Sequence, residues 1–114
     1  SHPRLCMVIN NIACCTFQMG NGVAALLTMN EARELQHLKN SNSPAKADLD
    51  LLYMAILLNN TGYLLVNTKQ YDDARASFEE ALLIQESVLG NAYNHRAIHD
   101  SRSNLEFTNA FHSQ

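Results

Sequence analysis

Residues 58–90 read LNNTGYLLVNTKQYDDARASFEEALLIQESVLG, and they decide the fold. Apolar and small residues recur three and four apart: Leu58, Gly62, Leu65, then Ala74, Phe78, Ala81 and Ile84. That is the period of an α-helix with one buried face, broken once around Thr68-Lys69-Gln70. Asp72 and Asp73 sit where the second helix starts, next to the positive end of its dipole. Gly90 sits where it stops.

Working outward, the same pattern appears upstream. A shift of 49 residues lays Ile9-Asn10-Asn11-Ile12-Ala13 on Leu58-Asn59-Asn60-Thr61-Gly62. It also lays Ala25 on Ala74, Met29 on Phe78, Ala32 on Ala81, Leu35 on Ile84 and Gln36 on Gln85. A second shift of 49 lays Phe107-Thr108-Asn109-Ala110 on the same words, more loosely. Repetition of this kind marks units that bury their apolar faces by stacking. We therefore expect an all-α chain of about five helices in a single domain, residues 1–114. Repeat 1 covers about residues 4–39, with a helix over 4–19 stopped by Gly20-Asn21-Gly22 and a second over 23–39. A linker is expected at 40–43. Ser43 and Pro44 then make a good helix start, because the hydroxyl caps free N–H groups and proline has none to leave unpaired. Repeat 2 covers about 44–90, as helices 44–68 and 71–89. A partial third repeat or capping helix follows at about 92–112. No alternation of β type is present.

Composition narrows the function. Of 114 residues, 46% are hydrophobic and 17% charged, a globular balance. The net charge of −3 offers no basic stripe for a nucleic-acid backbone, so nucleic acid is not expected as a partner. No apolar run approaches the roughly 20 residues of a membrane span, so direct membrane insertion is not expected. Residues 1–9 lack the pattern of a secretory signal. Cys6, Cys14 and Cys15 are odd in number and two are adjacent, a poor disulfide framework. We expect an intracellular, reducing compartment, cytoplasm or organelle interior.

The words of residues 58–90 resemble a tetratricopeptide repeat, closest to the kinesin-light-chain type. The resemblance rests on Leu58-Asn59-Asn60, Gly62, Tyr71-Asp72-Asp73-Ala74, Phe78, Ala81-Leu82 and Ile84-Gln85-Glu86 through Leu89-Gly90. It is looser in the first repeat, where Gly22 stands in the place of Tyr71. The 49-residue spacing exceeds the family's usual spacing of about 34 or 42. The resemblance implies a right-handed α-solenoid of antiparallel helix pairs and a non-catalytic adaptor or scaffold. A peptide or partner helix would lie in a concave groove formed by the first helix of each pair. Carried over by position, that groove presents Asn10, Cys14 and Phe17, then Ile56, Asn59, Tyr63, Val66 and Asn67. Leu105, Thr108 and His112 would extend it. Asn10 and Asn59 can each donate to and accept from a peptide backbone. They can equally bond within or between helices, and both readings stay open. No fixed cation stands at these positions, so an acidic tail is not an expected ligand. The rival reading is a structural subunit of a larger assembly, held by its convex face or its ends. Leu105, Phe107 and Phe111 are then the exposed end surface.

Chemistry is sparse. His95 and His99 are a turn apart with Asp100 adjacent, but no further ligand of a zinc motif follows. Cys14 has no positioned base. No glycine-rich phosphate loop follows a strand. No enzymatic activity, metal, cofactor or small-molecule substrate is expected; the partner is a protein.

Overall fold

Two three-residue turns set the architecture. The structure, a computed structural model, describes residues 3–42, 47–90 and 96–112. These form five helices: α1 (Pro3–Gln18), α2 (Gly22–Asn42), α3 (Ala47–Asn67), α4 (Tyr71–Leu89) and α5 (Arg96–His112). There is no strand among the described residues. The α1–α2 and α3–α4 turns are closed by the same hydrogen bonds, 49 residues apart. The Asn21 amide donates to the Thr16 carbonyl at 3.2 Å, and Gly20 to Phe17 at 2.9 Å. In the second turn Gln70 donates to Leu65 at 2.8 Å, and Lys69 to Val66 at 3.0 Å. This is the Schellman closure, which needs one residue in the left-handed region. Gly20 supplies it at φ 89°, and Lys69 at φ 63°.

The repeat thus holds in backbone geometry while differing in side chain. An L-residue in the left-handed region costs about 1–2 kcal/mol, and glycine's extra freedom when unfolded costs about 0.5–1. Lys69→Gly is expected to stabilise the chain by about 0.5–1 kcal/mol. The reading is a higher urea midpoint at unchanged slope; an unmoved or lower midpoint would contradict it. The two turns also differ in capping. The Asn21 side chain accepts from the Ala24 amide at 3.1 Å, a normal N-cap. Gln70 makes no such bond, and its Nε2 donates to Thr68 Oγ1 at 2.9 Å instead.

Each helix packs on the helix before it and the helix after it, whereas α1 meets α3, and α3 meets α5, only marginally. Among the described residues α2 and α4 do not meet. The molecule measures 43 × 33 × 19 Å, and its thin dimension is about two helix diameters. The cores lie between successive helices. Leu57 and Leu64 of α3 pack with Ala13 of α1 and with Ala25, Met29 and Ala32 of α2. Met54, Ala55 and Leu58 of α3 pack with Ala81 of α4. Alanines at 25, 32, 74 and 81 are all fully buried, so the helix faces there are smooth and the backbones come close. Gly62 goes further: a Cβ built on it would lie 2.5–2.8 Å from three atoms of the Phe78 ring.

The helix limits depart from expectation in two places. α2 continues through Asn42, so residues 40–42 are helix and not linker. No glycine or proline intervenes before Pro44 to stop it. The expected cap at Ser43 and Pro44 lies outside the described residues. α5 falls where the second 49-residue shift expects a third helix. Its face does not follow. Phe107, aligned with fully buried Leu58, is 55% exposed, and Thr108, aligned with half-buried Asn59, is completely buried. Thr108 behaves like Thr61: both are buried, and each hydroxyl donates to the carbonyl four residues back. A slip of even one residue turns a helix face by about 100°. The second 49-residue shift therefore misplaces the side chains of α5.

Candidate protein-binding surface

The asparagines that could have faced a ligand are used inside the helix stack. Asn10 is only 4% exposed; its Oδ1 accepts from Asn60 Nδ2 at 2.7 Å, and its Nδ2 lies 3.4 Å from Asn11 Oδ1. This amide pair ties α1 to α3. Asn59 Nδ2 donates to Ser101 Oγ at 2.9 Å, and Ser101 Oγ donates to Gln85 Oε1 at 2.5 Å. That chain joins α3, α4 and α5 through groups that are largely buried. In a low-dielectric interior such bonds fix helix rotation, because breaking one strands its partner. Asn10 and Thr108 therefore do not present themselves to a ligand, which corrects the positional carry-over. Ser101 and Gln85 were not singled out as partners of the asparagines. The available signal was the recurrence of a glutamine, Gln36 and Gln85, on otherwise apolar faces. Gln36 is likewise buried, its Nε2 donating to the Asp50 carbonyl at 3.3 Å.

The other expected groove residues divide. Cys14 is half-buried and packs against the first core. Phe17 is also half-buried, and its ring meets Tyr63 edge-on, with centroids 5.8 Å apart and planes at 77°. Ile56 is 41% exposed and Tyr63 58%. Val66 is half-buried, and Asn67 is exposed with its Nδ2 donating to the Tyr63 carbonyl at 2.9 Å.

Tyr63, Val66 and Asn67 line one cleft of about 500 Å³ together with Phe107 of α5. Two groups separated in the sequence reading, groove residues and an end-surface residue, thus line one cleft. Phe78 lies at only 3% exposure within this cleft, and Tyr71, Asn104 and Lys69 complete its lining. Nothing in the local pattern marked Asn104. Leu105 is half-buried, and the Phe111 and His112 side chains lie outside the described residues. Aromatic rings with amide groups beside them offer contact area at low entropy cost and a few directional bonds.

Burial pushes the Cys14 thiol above its ordinary pKa, and the neighbouring Cys15 adds to the shift. Cys14 is therefore protonated at neutral pH, the opposite of an activated thiolate. Cys14 and Cys15 are free thiols. His95 lies outside the described residues; His99 is 75% exposed, 4.0 Å from the Asp100 carboxylate. Among the described residues no group of three or more His, Cys, Asp or Glu could hold a metal ion. No helix among them is long and apolar enough to cross a membrane.

Comparison with protein-family models, with curated proteins and with solved structures gave no match.

Proposed function

We propose that this chain is a tetratricopeptide-like, right-handed helical solenoid acting as a non-catalytic scaffold. It takes a peptide segment or partner helix in the cleft between α3 and α5. The observation that carries this reading is that Tyr63 and Phe107, both more than half exposed, line the same cleft. Support for the solenoid comes from the two identical turn closures 49 residues apart. The free thiols Cys14 and Cys15 fit a reducing interior.

Large rings at the centre of an interface dominate binding. Tyr63→Ala/Phe107→Ala is expected to lower partner retention by about tenfold or more while leaving the helical circular dichroism unchanged. The measurement is affinity capture from native extract by the tagged chain and by the variant, quantified by mass spectrometry. Equal retention by both would sink the cleft model.

A second reading, a structural subunit held by its ends, is favoured by α1. Leu5, Val8 and Ile12 are 44%, 51% and 52% exposed. Their counterparts 49 residues on, Met54, Leu57 and Thr61, are buried in the helix stack. A neighbouring helix laid on α1 would cover the stripe in the same way. In the same capture experiment, loss of partners with Ile12→Asp but not with Tyr63→Ala/Phe107→Ala would decide for it.

A further inference from the structure

Because α2 and α4 do not meet, a second cleft runs between them on a floor provided by α3. It consists of two cavities of about 490 and 430 Å³ that share Asn30, Arg33 and Glu80. Met54 and Leu58 line one cavity and Thr61 and Leu65 the other, so the floor follows a single side of α3 for about three turns. Leu38, 59% exposed, stands on the α2 wall.

The charges on these walls are selective. α4 carries five carboxylates. Asp72 and Glu79 pair with Arg75 at 3.6 and 3.7 Å, and Glu86 pairs with Arg102 at 2.7 Å. The remaining two, Asp73 and Glu80, have no ion pair or hydrogen bond among the described residues, and both line the cleft. Glu34 of α2 lines it too, exposed and likewise unpaired. The other titratable groups on the walls are Arg33 and His37. Arg33 leans back on its own helix, Nη1 donating to Asn30 Oδ1 at 3.1 Å, with Nε buried and unpartnered. Three carboxylates thus face one drawn-back guanidinium. Glu34 lies in one cavity, Asp73 in the other, and Glu80 in both.

We propose that the α2–α4 cleft is a docking site for a basic amphipathic helix of a partner protein. Such a helix would place leucine-like side chains against Leu38 and Leu26 of α2 and Leu65 of α3, and lysine or arginine against the acidic walls. Asp73 and Glu80 are seven residues apart, about two turns or 10 Å along α4. A partner with basic residues two turns apart matches that spacing. Complementary charge supplies orientation and speed of encounter, and Leu38, Leu26 and Leu65 supply apolar contact area. The site is on the other side of α3 from Tyr63 and stands independently of the Tyr63–Phe107 cleft.

The test is fluorescence anisotropy with a labelled, end-capped lysine–leucine peptide. Its length is about 14 residues, some four helical turns, with lysines seven apart flanking leucines. Asp73→Asn/Glu80→Gln and Asp72→Asn/Glu79→Gln each remove two charges from α4, but only the first pair lies on the cleft. The first variant is expected to weaken binding about tenfold or more, the second less than about twofold. Tyr63→Ala/Phe107→Ala should bind the peptide as the parent chain does. Equal weakening by both charge variants would mean attraction to overall charge and would overturn the proposal. So would undiminished binding of a peptide with serine in place of leucine, or loss of binding in the Tyr63/Phe107 variant.

Discussion

Leu57→Ala is expected to lower the unfolding free energy by about 2–5 kcal/mol. Leu57 is fully buried where α3 meets the α1–α2 hairpin. Three of its five buried cluster mates, Ala13, Ala25 and Ala32, are alanines. Alanines have no rotamers with which to fill a void, so the cavity stays open and the loss falls in the upper part of that range. A domain of this size has about 5–15 kcal/mol in total. The urea midpoint should drop sharply, with Leu83→Ala as a control. Leu83 is 68% exposed, and its truncation should cost under about 0.5 kcal/mol. A loss below about 1 kcal/mol for Leu57→Ala would show that α3 is not held at this point.

Gly62→Ala should destabilise by about 1–2 kcal/mol, although alanine is the better helix former. The added methyl would meet the Phe78 ring at 2.5–2.8 Å, and Phe78 is 3% exposed, with little room to move aside. Overpacking of this kind costs about 1–3 kcal/mol, and helix propensity returns up to about 1. The first hairpin shows the remedy. At the corresponding positions it pairs Ala13 with Met29, both fully buried. A thioether chain bends around a methyl where a flat ring cannot. Gly62→Ala/Phe78→Met is therefore expected to be more stable than the two single changes sum to, by about 1 kcal/mol or more. Urea unfolding of the four chains in the cycle measures it. Strict additivity would mean that the ring contact is not what excludes a side chain at Gly62.

The proposed tests separate three surfaces of one small chain. Tyr63 and Phe107 report on the α3–α5 cleft, Ile12 on the open side of α1, and Asp73 with Glu80 on the α2–α4 cleft. All five are exposed, and replacing them leaves both buried core clusters intact.

Much of the fold was legible before any tertiary structure. The 49-residue period, the turns at Gly20 and Lys69, the limits of α4 and the small residues at Ala25, Ala32, Ala74 and Ala81 all follow from local rules. Helices form and stop through bonds reaching three to five residues, so a glycine, an acidic first turn or a three-to-four spacing is enough to announce them. Side-chain roles are another matter. Asn10 and Asn59 carry the same amide whether they meet a ligand or a neighbouring helix, and only the placement of Asn60 and Ser101 turned them inward. Phe107 repeats the position of Leu58 in sequence yet emerges on the surface, because α5 settled with a different face on α4. Tertiary packing also put Phe107 and Tyr63 on one cleft and left the space between α2 and α4 open. Chain periodicity determines that a helix has an apolar face; the direction of that face is set by packing against helices distant in sequence, where one residue of rotation is about 100°.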